Sequence, residues 1–82
     1  MTMTKLSAQE RWILRHAPPG EWDVMRLREL LPATDSRSRE VQSASLSRSV
    51  ARLVERGLVA RYERGRWSKI GPYLYETVNR AP

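Results

Sequence analysis

The sequence predicts a small α+β domain, mainly helical: three helices, then a two- to three-stranded antiparallel sheet. Three observations carry that prediction. Apolar residues recur at helical spacing in three segments, each with its own start or stop signal. Gly57 closes the third segment, and two runs of strand-forming residues follow it around Gly65. The chain has 82 residues, room for one domain that buries only about 60% of its unfolded surface.

Residues 1–6 read as a flexible end. Ser7 and Glu10 then form a capping box: the Ser7 hydroxyl accepts from the Glu10 amide, and the carboxylate reaches back to the Ser7 amide. The first helix runs to about His16, with Trp12, Ile13, His16 and Ala17 on one face and Arg11 and Arg15 on the other. Pro18, Pro19 and Gly20 stop it. Glu21 and Trp22 read as one short extended rung, and Asp23 as the N-cap of a second helix over residues 24–31. Its inward stripe is Val24, Leu27, Leu30 and Leu31, and Pro32 forces its end.

Residues 32–42 are polar and form a long connection or carry a short helical turn. The third helix has its apolar stripe at Leu46, Val50, Leu53 and Val54. At about 100° per residue these cluster on one side, and Val41 falls nearly opposite. That conflict predicts a break near Ser43, with Ser43 as N-cap and the helix over residues 44–56. Its outer face then shows Ser45, Arg48, Arg52 and Glu55, with Ser49 and Arg56 at one edge. Gly57 fits the left-handed position just past a helix end. Residues 58–62 read as a strand, 63–66 as a hairpin tip and 67–70 as the returning strand. Gly71 and Pro72 break that strand, leaving residues 71–82 as a short tail. Residues 73–78 of the tail have two candidate places, the first helix or a second copy of the chain, so a homodimer stays open.

The charge is segregated. The net charge is +6, and residues 37–69 hold nine basic residues against three acids, so that window carries all of the excess. A one-sided basic field is the footprint of a polyanion binder. The plain alternative is a solvated face on an incidentally basic protein.

Other classes find little support. There are no cysteines, so disulfides and thiolate metal sites do not arise. His16 is the single histidine and builds no metal site alone; a cation at a helix end suits the dipole. The sequence offers no Gly-rich phosphate loop, no triad pattern around His16 and no paired carboxylate spacing, so an enzyme is not expected and no cofactor is implied. No apolar run reaches the roughly 18 residues of a membrane span, and no signal-type apolar block stands near Met1. A cytoplasmic, nucleoid-associated protein of a prokaryote or virus is the expectation.

Residues 46–59, LSRSVARLVERGLV, are similar to the stretch S-R-x-(V/L)-x-x-L-x-x-(R/K)-G-L-(V/I) of MarR-like transcription regulators. Ser47, Arg48, Val50, Leu53, Arg56, Gly57, Leu58 and Val59 carry the match. The resemblance covers roughly residues 7–70 and implies a winged helix-turn-helix domain, with the third helix in the major groove of double-stranded DNA. Two departures stand out: the chain has no room for the long terminal helices that make the family's dimer, and the connection before the third helix is long.

The candidate contacts follow. Ser43, Ser45, Arg48 and Ser49 occupy the early part of the third helix, with Arg52 one turn on; early residues of such a helix lie nearest the bases. Arg48 is the expected base reader, because a guanidinium pairs two donors with guanine O6 and N7. Arg52 suits a phosphate equally well. Arg64, Arg66 and Lys69 suit the minor groove or its phosphates, and Arg37 and Arg39 reach for the backbone from the long connection. Two other readings remain: a protein-interaction module using Trp12, Trp22, Trp67, Tyr73 and Tyr75, and a weaker RNA or single-strand binder stacking bases on Tyr62 and Trp67.

Overall fold

The structure, a computed structural model, describes residues 5–63 and 73–78. It is a small α+β domain with three helices and a three-stranded antiparallel sheet. The order is α1 (Ala8–His16), β1 (Glu21–Trp22), α2 (Val24–Leu30), α3 (Arg39–Glu55), β2 (Val59–Glu63) and β3 (Tyr73–Thr77).

The local signals act as expected at several ends. The Ser7 hydroxyl accepts from the Glu10 amide at 3.1 Å, and Glu10 Oε1 accepts from the Ser7 amide at 3.0 Å, which closes the capping box. Asp23 caps α2 by accepting from the Arg26 amide at 2.7 Å. Gly57 has φ of 75°. Its amide donates to the Val54 carbonyl and the Leu58 amide to the Leu53 carbonyl, both at 3.0 Å. These two bonds are the Schellman arrangement, and they satisfy carbonyls that the end of α3 would leave open.

Every element supplies the core: Ile13 from α1, Trp22 from β1, Leu27 from α2, Leu46, Val50 and Leu53 from α3, Val59 from β2 and Tyr75 from β3. Trp22 and Tyr75 are cross-strand partners whose rings lie 5.4 Å apart. The α1 face that packs inward is centred on Glu10 and Ile13, while His16 is exposed and Trp12 half-buried. Leu30, expected inward, is exposed.

Two expectations are corrected. The first concerns α3, which is one helix of 17 residues. Its N-cap is Ser38, whose hydroxyl accepts from the Val41 amide at 3.3 Å; Ser43 lies inside the helix and caps nothing. Val41 does point away from the stripe of Leu46, Val50 and Leu53, but it stays in the helix as a half-exposed residue. A lone exposed valine is no reason for a helix to break. Residues 32–42 are therefore a connection only as far as Ser38, and Arg39 belongs to the first turn of α3.

The second correction concerns the sheet. β2 pairs with β3, a strand the sequence did not predict: Val59 pairs with Thr77, Arg61 with Tyr75 and Glu63 with Tyr73. The strand order is β1-β3-β2, so β3 is central. Residues 73–77, expected as part of a tail, are the strand that joins the other two. The expected hairpin tip at Gly65, the returning strand over 67–70, residues 1–4 of the expected flexible end and residues 71–72 and 79–82 of the expected tail lie outside the described residues, while Glu63 ends β2. Among the described residues no helix is long and apolar enough to cross a membrane.

Candidate nucleic-acid interface

The serines and arginines of α3 do not share a face. Ser49 is buried, and its hydroxyl accepts from Gln9 Nε2 of α1 at 2.9 Å. Ser45 is half-buried and accepts from the same Gln9 nitrogen at 3.0 Å. Ser43 is half-buried and accepts from Arg28 Nη1 of α2 at 3.0 Å. These three serines, expected to face a ligand, instead join α3 to the other helices. Small hydroxyls allow the close approach, and the hydrogen bonds satisfy groups that burial would otherwise leave without water.

Arg37 is engaged in the same seam. Its Nε and Nη2 donate to the two carboxylate oxygens of Asp35 at 3.0 and 2.6 Å, and Nη1 donates to Ser45 Oγ at 3.2 Å and to Gln9 Oε1 at 3.4 Å. The Asp35 carboxyl is held far below the usual range, chiefly by that guanidinium, which is itself raised by the carboxylate. Arg37 therefore fastens the α2–α3 connection to α1 and α3, and although its side chain is exposed most of its donors are spent within the protein.

The exposed side of α3 carries Val41, Ala44, Ser47, Arg48, Ala51 and Arg52, with Glu40 near its start and Glu55 at its end. Val41, Ala44, Arg48 and Arg52 fall within about 80° of one another at 100° per residue. Glu55 falls in the same arc at the far end of the helix, while Ala44, Ser47 and Ala51 beside the arginines are small and let that part of the helix come close to a partner. Arg39 is exposed at the first turn.

Arg52 lies at the α1 edge of this face, where it and Arg56 lower the Glu10 carboxyl. The larger cause of that lowering is the backbone amide of Ser7, and burial acts against it. Arg56 Nε is 3.6 Å from Glu10 Oε2.

The structure thus brings Arg48 and Arg52 together on an exposed surface, adds Val41 and Ala44 to it, turns Ser43, Ser45 and Ser49 to the other helices, and engages the exposed Arg37 with Asp35, Gln9 and Ser45. Arg64, Arg66 and Lys69 lie outside the described residues. Val41 was missed because the helix was expected to begin at residue 44, and Ala44 because it was expected only as its first residue. The signal that locates them is Ser38 followed by Arg39, Glu40 and Val41, an N-cap with an acid in the first turn.

Of the aromatic set proposed for protein docking, Trp22 and Tyr75 are core residues. Tyr73 is half-buried, with the Arg61 guanidinium 4.7 Å from its ring centre. On the exposed face of the sheet, the Tyr62 hydroxyl donates to Glu76 Oε1 at 3.2 Å, and Glu21 pairs with Glu76 across β1 and β3. That hydrogen bond, with the nearby carboxylates, raises the Tyr62 hydroxyl above its ordinary value.

Comparison with protein-family models, curated proteins and solved structures finds no match.

Proposed function

We propose that this chain is a double-stranded-DNA-binding domain of winged helix-turn-helix type, serving as a small transcriptional regulator. The observation that carries the proposal is the exposed face of α3, where Arg48 and Arg52 stand among Ala44, Ser47 and Ala51, none of them buried by the described residues. The element order α1-β1-α2-α3-β2-β3 and the strand order β1-β3-β2 are compatible with that fold type. The excess of positive charge in residues 37–69 supports the same reading.

Each residue then has a task. Arg48 lies about two and a half turns into α3 and reads a base pair in the major groove through two parallel donors. Arg52, at the edge, holds a phosphate. Arg64, Arg66 and Lys69 add contacts to the neighbouring backbone or minor groove. Arg37, Ser45 and Ser49 act indirectly, by fixing the angle of α3 on α1. The acids Glu21 and Glu76 beside Tyr62 disfavour the single-strand reading, because a phosphate chain stacked there would meet like charge.

Titration of a labelled duplex at several salt concentrations tests the proposal. Binding through several phosphates releases several counterions, so log K falls steeply with log salt, with a slope of about −0.9 per phosphate contacted. Arg48→Ala should lose discrimination at one base position, about 1–3 kcal/mol, while replacing Arg64 and Arg66 together should weaken all duplexes alike. A flat salt dependence rejects the proposal.

A further inference from the structure

Val41 is the most exposed of the large apolar side chains among the described residues, at 50%. A β-branched residue is a poor choice for an exposed helix position, since it restricts χ1 and lowers helix propensity. It stabilises nothing beneath it. Yet it is placed on the first turn of α3, in line with Ala44 one turn later and Arg48 two turns later. The strip that bears the guanidinium expected to read a base thus begins with two apolar side chains.

We infer that Val41 is a specificity-determining residue that packs on the C5-methyl group of a thymine in the major groove, with Ala44 giving the helix room to approach. This rests on the DNA-binding reading proposed above. The chemistry is direct. In the major groove thymine alone among the four bases presents a methyl group, and apolar side chains recognise it by contact. A valine gains from such a contact what it lacks in water, and a polyanion brings that contact within reach of Arg48 and Arg52. Seven residues separate Val41 from Arg48, about 10 Å along the helix axis at 1.5 Å per residue. At about 3.4 Å per base step, the thymine should lie about three steps from the guanine assigned to Arg48.

The test uses the full chain and a duplex selected by it from a random pool. Each thymine of that duplex is replaced in turn by deoxyuridine, which removes only the methyl group. For the wild-type chain one position should weaken binding about fourfold, the loss expected for one buried methyl. Val41→Ala should bind the thymine and uracil duplexes equally at that position, with an unaltered salt slope. Arg48→Ala should keep the uracil penalty while losing its own base. Alanine is the better helix former, and Val41 supports no core, so the variant folds. If every uracil duplex binds the wild type as tightly as its parent, or the penalty survives in Val41→Ala, the assignment is wrong while DNA binding stands. If no duplex is selected and binding ignores salt, both the assignment and the reading beneath it fall.

Discussion

The hydrogen bond between Gln9 and Ser49 decides whether the serines of α3 are structural, and an asymmetry between two substitutions tests it. Ser49 is only 2% exposed and its hydroxyl accepts from Gln9 Nε2 at 2.9 Å. Gln9→Ala removes that donor, together with the bonds Gln9 makes to Ser45 and Arg37, and leaves the hydroxyl buried. A buried polar group without its partner costs about 1–3 kcal/mol. A serine hydroxyl inside a helix can turn back to its own carbonyl ladder, which lowers that cost, but the lost bonds to Ser45 and Arg37 add to it, so the expectation is about 2 kcal/mol. Ser49→Ala removes the hydroxyl with its bond, and the Gln9 nitrogen keeps Ser45 at 3.0 Å. Only the net worth of one neutral bond is then lost, about 0.5–1 kcal/mol. The double variant should be no less stable than Gln9→Ala alone. Urea unfolding of the four proteins measures the cycle, and 1 kcal/mol should move the thermal midpoint by about 4–8 °C in a domain of this size. Equal losses for the two single variants, or strict additivity in the double, would refute the reasoning. A parallel measurement on duplex DNA should find Ser49→Ala unimpaired and Arg48→Ala impaired.

Three further outcomes are expected. Gly57→Ala places a side chain at φ of 75° and should destabilise by about 1–2 kcal/mol, read by denaturant midpoint. Ser38→Ala should cost about 1 kcal/mol through the lost cap, and Ser43→Ala should show no loss of a helix cap; circular dichroism with urea unfolding separates the two helix starts. The Glu10 carboxyl lies below its ordinary value of 4.5. Its contribution to stability is therefore full above that unfolded value and is lost as pH falls through the lower folded one. Glu10→Gln keeps an acceptor for the Ser7 amide and should flatten this acid limb in stability measured from pH 6 downward.

What could be read from the chain, and what could not, follows from the kind of signal each feature leaves. Ser7 with Glu10, Asp23 and Gly57 act through their immediate neighbours, so their roles are visible in a few residues of sequence. The stripe Leu46, Val50, Leu53 is visible because burial of apolar groups repeats with the helix. The seam of Gln9, Arg37, Ser45 and Ser49 is invisible to that periodicity: its residues are polar, so they are assigned to the outside, and the pairing spans |i−j| of 36 to 40 between α1 and α3. Val41 misled for the opposite reason, since an apolar residue was required to be inside. The strand at Tyr73, Leu74, Tyr75, Glu76 and Thr77 has the alternation and aromatic content of a half-buried strand. Gly71 and Pro72 obscured it, because they mark a stop for what precedes them and say nothing against a strand that follows. Arg48 and Arg52 were assigned to the open face from the same helical geometry, and the structure keeps them there.

The central place of β3 has a consequence for how the domain comes into being. Among the described strands its neighbours β1 and β2 lie on opposite sides of it and are joined only through it. In the order of synthesis, the helices and both outer strands are made before the keystone. Until Tyr75 arrives to lie against Trp22, a growing chain holds an unclosed sheet, and any premature stop upstream of residue 73 yields a product that can collapse but not finish.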